Sequence, residues 1–286
     1  MSIPSSRLKQ EHVAWPPLRA GLGEGDSLFY ARSFGDAPVD IDIEFLAVSQ
    51  PEVVTRVLEE CLFDDQGHGF TPDTIWQWTV KRRLQGLLAI AFASFGNRLN
   101  LTSHCQQTGC GEQLEIELQL EDFIDIDDLE SIHCEPVPGV SLTLRHPVGL
   151  DQILWQQHAR EQGSDGLSEY MCKTLIIDSE EEPESVAADL RISDSWQKSI
   201  DKALEKADSL TALSLSTRCP VCESENDIAL DLERRILSLL AARQRQRLEH
   251  VHLIASVYHW SEQEVMQLPP ARRNFYVERI TGAVTV

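Results

Sequence analysis

The chain has 286 residues, 42% of them hydrophobic, which is enough for one large domain or two modest ones and excludes a wholly disordered chain. Its formal net charge of −21 argues against direct binding to a nucleic-acid duplex, because an acidic surface repels phosphate backbones. The N-terminus lacks the apolar core of a signal peptide. The longest apolar run, Leu87 to Phe95, is about half of what a membrane span needs. Seven cysteines without a secretory leader point to a reducing cytoplasm, where thiols bind metal or stay free.

Residues 1–97 read as a mainly helical N-terminal region. Its first 40 residues form a loosely patterned lead-in, with short strands expected at 27–33 and 39–47. A helix begins at Pro51, with proline in the first turn, and runs to Phe63. After the loop Asp64 to Gly69, one helix is expected from Pro72, capped by Thr71 and stopped at Gly96. Ile75, Trp78, Val80, Leu84, Leu87, Leu88 and Ala91 mark its apolar face, and Trp76 and Trp78 read as core.

The period then changes to two. Strands are expected within 99–120 and 139–145, so that 98–145 holds a first cysteine knuckle and its strands. Residues 146–212 read as a helical insertion. Pro147 ends the strand, Asp151 caps a helix, the acidic run at 178–185 is a solvated loop, and another helix covers 194–208. A second knuckle occupies 213–233, and C-terminal helices follow over 234–286. There Ser261 and Glu264 form a capping-box pattern, and Pro269 with Pro270 divides the end into two pieces. The basic stretches Lys81 to Arg83, Arg243 to Arg247 and Arg272 to Arg273 read as solvated helix faces or partner contacts.

The knuckles repeat. Residues 99–105 and 213–219 both read Leu-x-Leu-hydroxyl-hydroxyl-x-Cys. Counting from Cys110 and from Cys222, the same residues (Ile, Leu, Leu, Glu) stand at offsets 6, 8, 10 and 11. Each unit is strand, cysteine pair, strand. One pair supplies two thiolates, and tetrahedral zinc takes four ligands. Cys105, Cys110, Cys219 and Cys222, brought together by pairing of their strands, would form a structural Zn2+ site. Gly109 and Gly111 permit the tight turn. The roughly 100 residues between the halves are tolerable because loop-closure cost rises only with the logarithm of length.

Other readings stand beside this one: four free buried thiols, or a redox pair. A thioredoxin-type pair sits at a helix N-terminus, whereas an alternating strand follows Cys222. Four thiolates also leave no open position for catalysis. His104 and His133-Cys134 lie close enough in sequence to replace a ligand, while Cys61, Cys134 and Cys172 read as core or free thiols. No phosphate loop, nucleophile elbow or zinc-protease motif is present, so no enzyme is expected.

The C-terminal stretch 251–280 carries His252, Leu253, Ala255, Tyr258, Trp260, Ser261, Glu262, Leu268, Arg272, Arg273 and Tyr276. In these residues it resembles the end motif of the T4-like phage baseplate hub assembly proteins, a family of contractile tails and related injection systems. Leu144, Arg145, Pro147 and Asp151 match a further motif. The resemblance spans roughly residues 75–280. It departs in the first knuckle, which has four intervening residues, and in the second, where Glu223 replaces the usual glycine.

It implies assembly of a tail baseplate or its hub, without chemistry. The partners would be baseplate or hub proteins, met in a bacterial or infected-host cytoplasm or in the finished particle. The combined expectation is an α+β fold: a split zinc-ribbon-like β unit with a helical insertion and helical flanks. Partner binding falls to Tyr258, Trp260, Arg272, Arg273 and Tyr276, since aromatics and arginine are enriched at binding hot spots. The alternative is a zinc-ribbon adaptor in nucleic-acid or transcription complexes, although only Arg98 and Arg218 are basic near the knuckles.

Overall fold

The computed structural model describes residues 13–14, 30–46, 48–123, 131–137, 139–163, 166–179, 194–208 and 210–282. Within these the chain mixes helices with four small antiparallel sheets, as the α+β expectation requires. Strands β1 (Val13–Ala14), β2 (Tyr30–Ala31) and β3 (Leu62–Phe63) form the first sheet. Of the strand expected at 27–33, only β2 forms among the described residues. The strand expected at 39–47 does not form among the described residues, and Pro38–Asp42 is a 3-10 turn instead. Its cause is Asp40, fully buried, whose carboxylate accepts from both Nη atoms of Arg32 at 2.8 and 2.6 Å and from the N–H groups of Gly35 and Ala37. The chain coils around that carboxylate.

Helix α1 (Gln50–Cys61) starts where Ser49 N–H donates to Glu52 at 2.8 Å, with Pro51 in the first turn. The helix expected from Pro72 to Gly96 is two helices, α2 (Pro72–Trp76) and α3 (Val80–Phe95). Long-range pairing breaks it: Val80 N–H donates to Pro147 O at 2.8 Å, and Gly149 N–H donates to Trp78 O at 3.1 Å. Thr79 then caps α3 by accepting from Arg82 N–H. A Cβ on Gly86 would lie 2.7 Å from Leu58, so only glycine lets α3 approach α1 this closely. Val54, Val57, Leu58, Leu87, Leu88 and Ile90 fill the main core between them.

Strands β4 (Arg98–His104) and β5 (Gln113–Gln119) form one hairpin. Strands β6 (Ile132–Val137), β7 (Val140–Leu144) and β8 (Ile176–Ser179) form a separate sheet. Helices α4 (Gly149–Gln162), α5 (Leu167–Leu175) and α6 (Asp194–Ala207) accompany it, and Trp196 and Ile200 of α6 pack on Ile132, Leu142 and Leu144. The insertion is therefore mixed rather than helical: β7 pairs with β6 on one side and with β8 on the other, and none of the three joins the first knuckle. Most of the acidic run at 178–185 lies outside the described residues. Arg145 grips Asp151 with two bonds of 2.6 and 2.8 Å, and Asp151 accepts from Val148 N–H to start α4.

Strands β9 (Ser214–Arg218) and β10 (Glu225–Ala229) form the last hairpin. Helix α7 (Leu232–Tyr258), capped by Asp231, spans the main core, and α8 (Glu262–Met266) and α9 (Pro270–Thr281) fold back on its end. Val251, Ile254, Val265 and Met266 make a satellite core there. The basic stretches are not simply solvated faces: Lys81, Arg83, Arg247 and Arg273 are buried. Arg83 donates to the carbonyls of Ile75 and Pro51 and to Thr55 Oγ1, anchoring α3 to α1 and α2. Among the described residues no helix is long and apolar enough to cross a membrane.

Candidate metal centre

The two hairpins end in matching turns. Cys105 N–H donates to Glu112 O at 2.8 Å, and Cys219 N–H donates to Ser224 O at 3.0 Å, each closing its hairpin. Within the turns the N–H groups of Gln107, Glu112 and Ser224 point at the sulfurs of Cys105, Cys110 and Cys222, two residues ahead of the cysteine in each case. Such donors stabilise negative charge on sulfur.

The strands of the two hairpins do not pair, contrary to expectation; each forms its own two-stranded sheet. Packing joins them instead. Leu114 and Ile228 meet beneath Cys105 and Cys219, with Ile116 and Leu230 alongside. Asn226 is the clasp. Buried in the second hairpin, it accepts from Gln106 N–H of the first at 2.7 Å and donates to Ser224 O at 2.9 Å. Gln106 also donates from its side chain to Asp227 O at 3.1 Å. Sequence reasoning missed Asn226, and no local signal marks it, because its partner lies 120 residues away.

The result brings Cys105, Cys110, Cys219 and Cys222 together with all four sulfurs within 4.8 Å of one another. Cys105 and Cys222 are 3.6 Å apart, and Cys110 and Cys219 are 3.8 Å apart. Four sulfurs at about 2.3 Å from a central zinc would be about 3.8 Å from each other. A disulfide needs roughly 2.05 Å, and all seven cysteines are free. The donor set and spacing thus fit a tetrahedral thiophilic ion. His104 and His133 take no part in the cluster; His133 lies between Ser131 and Thr143 on the other sheet.

The thiols are electrostatically divided. Hydrogen bonds from the Ser224 hydroxyl and then its N–H hold Cys222 down to about 6. Ser224 Oγ lies 3.0 Å from that sulfur, and at 3.4 Å from Cys105 it lowers the Cys105 thiol as well. Cys110 goes the other way. Glu112 N–H pulls it down, but the thiols of Cys222, Cys219 and Cys105 together with burial push it up to about 12. A site that ionises some of its thiols readily and resists ionising the last is one that a cation would complete.

At the C-terminal end, Tyr258, Trp260 and Tyr276 pack ring against ring with centroids 5.2–5.4 Å apart, and Phe275 joins Tyr276 at 5.7 Å. Tyr258 is 38% exposed and Phe275 56%, while Trp260 and Tyr276 are half-buried against the satellite core. Arg272 is exposed and reaches Tyr276 Oη at 3.5 Å. Arg273 is a correction. At 1% exposure it is buried toward Met266 and Asp36, and it is not part of the exposed aromatic surface.

Residues 44–234 match the family described as T4 bacteriophage base plate protein. Comparison with curated proteins and with solved structures gave no match. The matched region takes in both knuckles, the insertion and the Arg145–Asp151 pair, and it stops before the aromatic end. It covers well over half of the chain, and the chain belongs to the T4 bacteriophage base plate protein family.

Proposed function

We propose that this protein is a non-enzymatic assembly or structural component of the baseplate or hub of a contractile phage-like tail. Four cysteines hold a structural Zn2+ that fastens its two hairpins. The family match carries the baseplate reading, and the four-sulfur cluster carries the metal. When bound, the ion would neutralise the thiolates and pin residues far apart in sequence. Cys105, Cys110, Cys219 and Cys222 would fill a closed tetrahedral shell, so the ion would act on folding and not on a substrate. Gln107, Glu112 and Ser224 would orient the sulfurs.

The partners would be other baseplate or hub proteins, met in the cytoplasm where tails are built. The binding surface would be the aromatic corner of Tyr258, Trp260, Tyr276 and Arg272. The nucleic-acid adaptor reading is weaker. The two basic residues beside the knuckles face acids, Arg98 at 3.7 Å from Glu117 and Arg218 at 3.8 Å from Glu225. Deleting the gene from a tail-producing system tests the proposal. Tube and sheath should fail to assemble on a complete baseplate, and complementation should restore particles. Normal contractile particles without this chain would refute it.

A further inference from the structure

Residues 33–36, helix α7 and helix α9 meet around one carboxylate. Asp36 Oδ1 accepts from Arg247 at 2.8 Å and lies 3.5 Å from Arg273, while Oδ2 lies 3.5 Å from Arg243. Three permanently charged guanidiniums therefore share a single negative group. Arg243 places its other donors on Phe34 O, Ser94 O and Ser33 Oγ. The other two do not. Among the described residues Arg273 otherwise reaches only the weak acceptor Met266 Sδ at 3.5 Å. The Nε atoms of Arg247 and Arg273 and Nδ1 of His250 are buried without a partner among the described residues. The neighbouring Asp40 is taken by Arg32, and Glu249, whose charge reaches His250, is itself exposed to solvent. Uncompensated buried cations and unpaired donors are costly, and native sites complete them.

We propose that Arg247, Arg273 and His250, steadied by Asp36 and Arg243, form a binding site for one oxyanion group, a carboxylate or a phosphate. The chemistry matches: planar guanidiniums present forked donors to paired oxygens, Arg247 and Arg273 both reach Asp36, and both lie near enough to His250 to act on its charge. The side chains of Asp36 and Arg243 are each 18% exposed, so the cluster reaches solvent there. Burial first, then Arg247 and Arg273, hold the His250 imidazole below its ordinary value, and a bound anion would raise it.

The full-length chain is titrated with inorganic phosphate and, separately, with acetate, against chloride at matched ionic strength. The His250 ring is followed by NMR and the thermal midpoint by scanning. The expected result is a saturable shift of the His250 ring, a raised His250 pKa and a raised midpoint. A response to phosphate alone assigns a phosphate ligand. A response to both assigns a carboxylate-sized site that an acidic side chain of a partner would fill. Arg273→Met should abolish the response, and if that variant does not fold, Arg247→Lys should weaken it at least tenfold. No response beyond chloride, or an equal response in a folded variant, overturns the site.

Discussion

Glu223 holds in the second knuckle the backbone position that Gly111 holds in the first. Each follows the last cysteine of its pair, and each is left-handed, with φ of 58° and 65°. Glycine takes this conformation freely, whereas other residues lose about 1–2 kcal/mol in it. Glu223→Gly should raise the unfolding free energy by about 0.5–1 kcal/mol, the strain relieved less the glycine entropy regained in the unfolded chain. Gly111→Ala should lower it by about 1 kcal/mol from backbone strain, since nothing lies within 4 Å of the added methyl. Urea midpoints on the two variants check both signs.

The clasp between the hairpins should be as sensitive as the cysteines. Asn226→Ala strands Gln106 N–H at the junction of the hairpins, while Ser224 O keeps its bond from Cys219 N–H. A buried unpaired group costs about 1–3 kcal/mol, so a loss of that size is expected. Amide exchange at Gln106 should accelerate in this variant while exchange in α3 changes little. Unchanged protection at Gln106 would mean that the hairpins are held together by something else.

Much of the four-cysteine cluster is legible in the sequence because its rules are local. A cysteine pair, an alternating strand on each side and a matched repeat all fall within short windows. The means of bringing the halves together is not, because Asn226 acts on a residue of the other hairpin. The same reason hides the break between α2 and α3, which is set by pairing with 147–149, and the burial of Arg83, Arg247 and Arg273. Charged residues in a helix read as solvent-facing until the fold shows which carbonyls and carboxylates they meet. Strand β8 and helix α5 were missed because short apolar runs such as Ile176-Ile177 carry no resolvable period.

Acid should loosen the turn that presents the aromatic corner. Glu264 is held below its ordinary 4.5 by Ser261 N–H and then by the Ser261 hydroxyl. A depressed carboxyl contributes fully above its unfolded value and loses that contribution as pH falls through its folded value. The window therefore lies below about pH 4.5. NMR of the α8 amides should show this transition in the native chain, and Glu264→Gln should remove it. A transition that persists in the glutamine variant would assign it to another group.

The C-terminal corner should separate binding from stability. Tyr258→Ala or Phe275→Ala, at exposed rings, should weaken capture of baseplate partners about 30-fold, the size of a hot-spot loss near 2 kcal/mol, with little change in melting. Arg273→Ala should do the reverse, lowering stability because its guanidinium is buried. Titrations with purified tail proteins of the same system, set beside melting curves, test the two together. Full affinity in the aromatic variants would move the interface elsewhere.

The central claim is that two hairpins from distant parts of the chain form one closed four-thiolate zinc site. X-ray absorption at the zinc edge, on protein purified without chelator, tests it most directly. About one zinc per chain with four sulfurs at about 2.3 Å is predicted. Absence of zinc, or a spectrum requiring nitrogen or oxygen ligands in the first shell, would contradict it.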